Sequence, residues 1–558
     1  MTLHKQTVAA KLADFQYIGE DLIMGETSLP RLTLAALFCA LLLLAYQYLG
    51  SDRLEGQIVD DKTGQPVAAT VMITDGEGKP LEIEGKHTHV EYLGKRRCYV
   101  DGAFSLKARP NRLVVEVRRG LETLSLKTDV DLAQKKSEAL TFRVHRWIDM
   151  RELGYLSGDT HVHLLSQAES HLQMRAEDLN VLNLLVSDFT NDVEKFTGKL
   201  DPVSTPSNAV YVGQEARDWQ QGHIVLMRIK QIVQPFAPFG GTFQGRSFPN
   251  VVLARALRAA RHQGGVATWA HFCNLPGAES PIDIALGLLD AIDLITYDDP
   301  TQLPSHWGPW KNSGMSQAEF TVMRAMDLYY QYLNSGFRLP IAAGTDKMGE
   351  NIPVGSNRLY ARFVNTPDYE GWLAGLKAGN GFVTNGPMLT FEVDGKTAGE
   401  VMQFSGKRQV KVRATAQSIL PFGTLEIVVN GETAAIKRIS SQDNPRADGL
   451  YSVDLEATVD LQQSSWLAAR VAEDPDSKER ILPRGLTVFA HTNPVYFLRN
   501  GATVRELPSI RYLQKYVKGT IHWLKTGARF ATDTEKEEAL RLAEQARRIY
   551  AELEKNLL

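Results

Sequence analysis

From Leu54 to about Trp147, apolar and polar residues alternate in short runs. Gly56-Gln57-Ile58-Val59 and Thr70-Val71-Met72-Ile73 are followed by Phe104-Ser105-Leu106 and Leu113-Val114-Val115-Glu116-Val117. Turn residues separate them, at Lys62-Thr63-Gly64-Gln65-Pro66 and around Gly76 and Gly78. Side chains alternate across a strand, so this period predicts half-buried strands, and their spacing predicts a small β-sandwich over 54–147. From Gly154 to about Pro387 the runs become apolar throughout. Val181–Val186, Ala209–Val212, His223–Leu226, Gly265–Ala270, Ala291–Ile295 and Leu339–Ala343 read as strands, and Val251–Gln263 and Ser316–Leu333 as helices. Such alternation predicts βα units and a largely parallel sheet or barrel over 154–388. Two loops rich in Gly, Pro and aromatics, 235–249 and 298–315, interrupt it, as loops that shape substrate access do. From Leu389 to Tyr496 β-patterning returns, with Leu425–Gly431 and Trp466–Arg470, and predicts a second sandwich over 389–498. The tail, 502–558, is helical. Thr532-Asp533-Thr534-Glu535 has capping-box form, and Leu542, Ala546, Ile549 and Leu553 make an apolar stripe for packing or oligomer contact.

One segment departs from these globular periods. Leu32 to Leu49 carries no charge, with Arg31 before it and Tyr46 and Tyr48 near its exit. That length spans a bilayer, with aromatics at an interface. A buried core helix would ordinarily keep a polar face, and the thirty preceding residues are long for a cleavable leader. A membrane anchor over 32–49 behind a tail of residues 1–31 is therefore expected, with the bulk of the chain extracytoplasmic.

Composition adds exclusions. At 558 residues, 43% hydrophobic and 23% charged, the chain can build three or four ordinary domains. A net charge of −3 leaves no polybasic footprint, which argues against nucleic acid as a partner. Cys39, Cys98 and Cys273 lie in different segments, so neither a disulfide framework nor a cysteine zinc site is expected.

The chemistry concentrates in the middle segment. Ser157-Gly158-Asp159-Thr160-His161-Val162-His163 places a His-x-His pair at a strand end, where alternate residues face one way. Glu215 follows the third strand, His223 begins the next, His271 ends Gly265–His271, and Asp346 ends Ala343-Gly344-Thr345-Asp346. Imidazoles and carboxylates gathered at strand ends suit divalent ions, and a shared carboxylate can bridge two. A second pair, His87-Thr88-His89, sits in a polar stretch without such company and reads as an exposed loop or edge strand. His171, His262, His306 and His491 read as structural or surface residues. No Ser-His-Asp or P-loop pattern competes.

This order of motifs resembles the polymerase-and-histidinol-phosphatase (PHP) superfamily of metallohydrolases, and within it the carbaryl-hydrolase-like branch. Gly158–His163 is similar to that branch's opening motif, Gly355–Tyr360 and Gly381–Pro387 to its closing ones, and Ala490–Tyr496 to the end of its C-terminal sandwich. Glu55–Ile73 resembles the start of a carboxypeptidase-regulatory-like domain. The resemblance implies a distorted barrel of about seven βα units flanked by two β-sandwiches, an N-terminal transmembrane helix and C-terminal helices. It implies one ion on His161, His163, Glu215 and Asp346, and a second on bridging Glu215, His223 and His271. The ions would be two divalent metals: zinc, manganese or iron. Two positions depart from the family. Phe189 and Met348 stand where histidines of a third metal position are usual, and neither ligates hard ions well. Asp188 is then either an outer-shell orienter of a histidine or a structural acid.

The expected function is hydrolysis of an ester, carbamate or phosphoester of a small-molecule substrate by a metal-activated water. Arg358 and Lys347 are candidates for stabilising developing negative charge. The alternative from another class is a membrane-tethered surface binding protein with a decayed metal site.

Overall fold

The structure is a computed structural model. It describes residues 54–558 except 86, 93, 108–109, 134–139, 191, 237–240, 244–245, 273–276, 297–324, 440–448, 473–481 and 483–486. Leu32–Leu49, Cys39, Cys273, His306 and most of Ser316–Ala325 thus lie outside the described residues. Among the described residues no helix is long and apolar enough to cross a membrane.

The first unit contains strands β1 (Leu54–Asp60), β2 (Ala68–Asp75), β3 (His89–Tyr92), β4 (Lys95–Asp101), β5 (Ala103–Leu106), β6 (Arg112–Arg118), β7 (Leu126–Asp131) and β8 (Leu140–Val144). They form two sheets, β5-β1-β8 and β3-β4-β2-β6-β7. Ile58, Phe104 and Phe142 from the first sheet meet Val71, Val100 and Val115 from the second in one apolar core. This is the two-layer packing that the alternating pattern requires. His89 begins β3 at a sheet edge, so the second His-x-His lies where its polar surroundings pointed.

The second unit runs through β9 (Tyr155–Val162), α1 (Gln167–Ala176), β10 (Val181–Val186), β11 (Ala209–Asp218), β12 (Gly222–Met227) and the short hairpin β13 (Gly241–Phe243) and β14 (Arg246–Phe248). It continues with α2 (Leu253–His262), β15 (Val266–Trp269), α3 (Ser280–Ala285), β16 (Ala291–Ile295), α4 (Ala325–Asn334), β17 (Ile341–Ala343), β18 (Arg358–Arg362), α5 (Tyr369–Ala378) and β19 (Gly381–Thr384). The sheet order is β17-β16-β15-β12-β11-β10-β9-β18-β19. Every residue of β10 is buried, as the unbroken apolar run implies for a strand covered on both faces.

The expected largely parallel sheet is instead mixed. β9, β10 and β11 run parallel, as do β15, β16 and β17, but β12 is antiparallel to both its neighbours. The cause is local. Asp218 accepts the N–H groups of Gln220 (2.8 Å) and Gln221 (2.9 Å), closing a tight β11–β12 turn with no room for a crossover helix. At the far edge, the chain after β17 returns to β9. Val162 bridges Lys347 in parallel register, and the His163 N–H donates to the Lys347 carbonyl at 3.1 Å.

The third unit contains β20 (Met388–Val393), β21 (Val401–Phe404), β22 (Arg408–Ser418), β23 (Thr424–Val429), β24 (Glu432–Arg438), β25 (Tyr451–Leu461), β26 (Ser465–Ala472), β27 (Ala490–Thr492) and β28 (Val495–Arg499). β20-β22-β25 is a separate sheet, while β27 pairs with β19 and so extends the sheet of the second unit. The two layers share the core of Phe391, Val412, Ile427 and Leu467.

Helices α6 (Leu507–Thr526) and α7 (Asp533–Lys555) fold back onto the second unit. The Thr532 side chain caps α7 by accepting the Glu535 N–H, while Glu535 and Glu538 pair with Arg255 of α2. Leu542 and Ala546 enter the same core as Ile282 and Ile284, so the apolar stripe is intramolecular packing. The hydroxyls of Tyr516 and Tyr550 donate to the carbonyls of Gly277 and Pro281 beside α3.

Beneath these helices lies Asp283, fully buried, neither of its oxygens hydrogen-bonded among the described residues. Burial, and then the like charge of Glu279, hold its carboxyl well above the usual range. The folded chain therefore keeps a proton that the unfolded chain releases above about pH 4, so this residue's contribution to stability falls as pH rises. Asp283→Asn removes that titration. The melting temperature of the variant relative to wild type should rise between about pH 5 and about pH 8; a difference flat with pH would contradict this.

Candidate metal centre

β9 lies between β10 and β18 and delivers the His-x-His pair into a fully buried space. His161 and His163 point to one side, their Nε2 atoms 2.9 Å apart. His163 Nδ1 lies 3.0 Å from the Leu185 carbonyl, an acceptor only, so Nδ1 carries the proton and Nε2 presents its lone pair to the site.

Glu215 does not follow a strand, as its sequence context suggests, but lies inside β11. There it faces the space between the histidines. Its Oε2 is 3.3 Å from His163 Nε2, and its Oε1 is 3.1 Å from His223 Nδ1 and 3.5 Å from both His161 Nε2 and His271 Nε2. His223 is aimed inward at the start of β12 by the tight turn just described. His271 and Asp346 stand just beyond β15 and β17 with left-handed backbones, φ 32° and 45°. Conformations so sparsely populated are held only where the surroundings over-determine them, and here they turn both side chains back into the cluster. Asp346 Oδ1 is 3.4 Å from His161 Nε2 and 3.8 Å from His163 Nε2.

These six side chains fall into three groups of ligand atoms: His161, His163 and Glu215; His161, His271 and Asp346; Glu215, His223 and His271. The spacing fits an ion better than a hydrogen-bond network. Ligands about 2.0–2.1 Å from a tetrahedral ion lie roughly 3.3 Å from one another, close to most of the N···O separations seen. Hydrogen bonds of this kind are ordinarily 2.7–3.2 Å long. Among the described residues, Glu215 Oε2 and Asp346 Oδ1, both buried, have no hydrogen-bond partner. The residues present fit one or two divalent ions.

The electrostatics favour neutral imidazoles at His161 and His223, whereas at His163 the hydrogen bond and charge of Glu215 outweigh burial and raise it. Burial pushes His161 down to about 4, and burial together with the Arg217 charge pushes His223 down to about 3, so both are neutral at ordinary pH, the form a metal ligand needs. Burial raises Glu215, but its neighbours, the Arg217 charge first among them, outweigh it and hold the carboxylate well below its usual range. Asp346 is likewise lowered, its histidine neighbours prevailing over burial.

Behind the ligands sits Asp159, fully buried. It accepts the N–H groups of His161 (3.0 Å), Thr345 (2.9 Å) and Gly355 (2.8 Å) and the Thr345 hydroxyl (2.6 Å). One carboxylate thus ties the His-x-His strand to the loop bearing Asp346. Asp293 of β16 accepts the Thr160 hydroxyl at 3.0 Å and is pushed up to about 7 by burial.

Two sequence candidates for charge stabilisation are corrected by their contacts. Arg358 is buried in β18 and donates to the carbonyls of Gly355, Asp178 and Glu177, none of them in the cluster. The Lys347 ammonium donates to the carbonyls of Gly349 and Ile352, and burial lowers it to about 8. Both anchor loops. Asp188 accepts from the Ser187 hydroxyl at 3.1 Å and lines a cleft with Glu215, Arg217 and Phe236. Met348 is exposed, while Phe189 packs its ring on His163 with centroids 5.1 Å apart. The residue missed in the sequence is Arg217. Its Nε lies 3.5 Å from Glu215 Oε2, and its signal was the i, i+2 spacing from Glu215 on one strand. Among the histidines read as structural, His491 accepts from the Tyr330 hydroxyl at 2.7 Å in the third unit.

Comparison with known proteins adds no family. No family model and no curated protein matches the chain. Among solved structures, the N-terminal four Ig domains of Dscam1 isoform 8.4 align with 80% of this chain and 99% of their own, at 8% identity and a TM-score of 0.09. That likeness carries no argument.

The close return of the chain onto β9 gives a prediction. A Cβ on Gly344 would lie 2.5 Å from His161 Cβ and 2.6 Å from Thr160 Oγ1. Gly344→Ala must therefore move His161 and Asp346 apart, at a cost of about 1–3 kcal/mol. Metal uptake measured by calorimetry should weaken at least about tenfold, while the far-ultraviolet spectrum stays native. Unchanged uptake would contradict the packing described.

Proposed function

We propose that the chain is a dinuclear metal-dependent hydrolase acting on an ester, carbamate or phosphoester bond. The observation that carries this reading is the buried convergence of four imidazoles and two carboxylates at ligand-edge spacing, open to a cleft lined by Asp188, Glu215 and Arg217. Such a cluster is costly to bury without something to bond its lone pairs. In this reading His161, His163, Glu215 and Asp346 hold one ion, and Glu215, His223 and His271 hold the other. When bound, divalent ions supply Lewis acidity and lower the pKa of a water.

The chain's own part is positional. The Leu185 carbonyl fixes the His163 tautomer, Asp159 keeps the two ligand loops in register, and Asp293 supports the strand beneath His161. We further read the sheet as the wall of a distorted seven-unit barrel of the PHP type, closed where Lys347 meets Val162. Leu32–Leu49 would tether the site outside the cytoplasm.

A panel of carboxylester, carbamate and phosphoester reporters, assayed before and after chelation and after metal return, tests the reading. At least one reporter should be turned over by the metal-loaded protein, lost on chelation and regained on reloading. His161→Ala should abolish that activity, by about 100-fold or more, while His87→Ala in the segment before β3 leaves it within about twofold. A protein that binds metal yet turns over none of the reporters favours a tethered binding protein instead.

A further inference from the structure

Nine large apolar side chains are exposed among the described residues, and four of them gather in one place. Leu164 (51% exposed), Val193 (44%), Trp219 (38%) and Met348 (40%) stand on turns and loops around the buried cluster. Leu164 directly follows His163, and Met348 stands two residues beyond Asp346. Val162 bridges Lys347, and the His163 N–H donates to the Lys347 carbonyl, so Leu164 and Met348 leave the sheet side by side. The Lys195 ammonium donates to the Leu165 carbonyl at 3.1 Å and brings the turn of Val193 alongside. On the other side Trp219 packs on His223, with centroids 5.5 Å apart. Single exposed hydrophobics need no explanation, but a connected rim of them does.

What this rim meets is set by where the chain is tied. Gly50 to Arg53 are all that separate the uncharged stretch Leu32–Leu49 from Leu54, the first residue of β1. With that stretch as the tether, five steps of chain at about 3.6 Å each keep Leu54 within roughly 18 Å of the bilayer. Leu54 pairs with Leu106, which bridges Ile83. Five residues on, the Thr88 hydroxyl reaches Glu169 at 3.4 Å, and Glu169 accepts the N–H of Ser166, two residues from Leu164. The Glu91 N–H donates at 2.8 Å to the carbonyl of Glu350, two residues from Met348. A short path through the first unit therefore joins the tethered end of the chain to the rim. Charges at the rim's edge pair with one another, Lys195 with Asp192 at 2.8 Å and Arg96 with Glu350 at 3.5 Å, and give no strong field of one sign.

Resting on the tethering reading above, we propose that Leu164, Val193, Trp219 and Met348 form a membrane-docking surface, seated in the interfacial layer of a phospholipid bilayer. Indole and aliphatic side chains favour that layer, where one end of a residue is apolar and the other wet. Four partly exposed side chains make a weak contact for a free protein. The tether makes the contact intramolecular, and a weak surface is then enough to hold the rim down.

Full-length protein in phosphatidylcholine vesicles tests this. An environment-sensitive fluorophore is placed on Met348→Cys and, as a control, on Ile436→Cys. Ile436 is comparably exposed (45%) but lies on β24 of the third unit. Labelling of the chain without an added cysteine is subtracted as background, and flotation with the vesicles reports tethering on the same samples. A quencher carried by lipid should dim the Met348→Cys label and leave the Ile436→Cys label unchanged. Adding Leu164→Ser and Trp219→Ser should abolish that quenching while flotation and the far-ultraviolet spectrum persist. Equal quenching of the two labels, or of neither, in protein that floats overturns the inference, as does quenching that survives the two serine substitutions. A Met348→Cys signal that changes with protein concentration and ignores the lipid quencher places a second copy of the chain on the rim and overturns it too. If full-length protein does not float, the tethering reading falls. Quenching of the Met348→Cys label by added vesicles would then still support the docking surface, and its absence would overturn it.

Discussion

Much of the second unit is arranged around one electrostatic difficulty: four imidazoles and two carboxylates that could hold a metal ion converge at a point where water is nearly excluded. His161 and His163 are fully buried, and Glu215, His223, His271 and Asp346 are 3–6% exposed. Unsatisfied buried polar groups each cost on the order of 1–3 kcal/mol, and charged ones more. The fold meets that cost by over-determining each side chain. Strand β9 is buried between partners, the Asp218 turn fixes His223, and two left-handed residues aim His271 and Asp346.

The same constraint explains why the first unit is more than an appendage. The loop after Asp346 is braced from outside: the Glu91 N–H of edge strand β3 donates to the Glu350 carbonyl at 2.8 Å, and Arg96 pairs with Glu350. Helix α1, which follows the His-x-His pair, is tied to β4 by Arg175 to Asp101 and through Glu177 to Tyr99. Arg146 and Arg119 both reach Asp178 just after that helix. Both flanks of the centre thus lean on the first unit, as positioning demands when ligands sit on loops.

Much of this was legible in the sequence, for identifiable reasons. Apolar runs such as Val181–Val186 became strands because only a doubly covered strand tolerates six consecutive buried residues. The six residues that converge were readable as candidates because imidazole and carboxylate carry chemical meaning apart from any contact, although Glu215 lies inside its strand and not at its end. What the sequence hid depended on pairing across space. The antiparallel β12 follows from side-chain closure at Asp218, which hydrophobic periodicity does not encode. Arg358 and Lys347 were candidates for stabilising negative charge, yet the structure directs their donors to loop carbonyls. Arg217 drew no reading in the sequence, because Phe189 and Trp219 come to flank it only in the fold. The third unit's sharing of a sheet with the second, through β19 and β27, likewise rests on long-range pairing.

The most direct test is elemental analysis of the purified full-length protein after loading and removal of loosely held metal. The ligand set, with Glu215 shared and no imidazole at Phe189 or Met348, should retain about two divalent ions per chain. Retention of three ions, or of none by correctly folded protein, would contradict a dinuclear centre on these six residues.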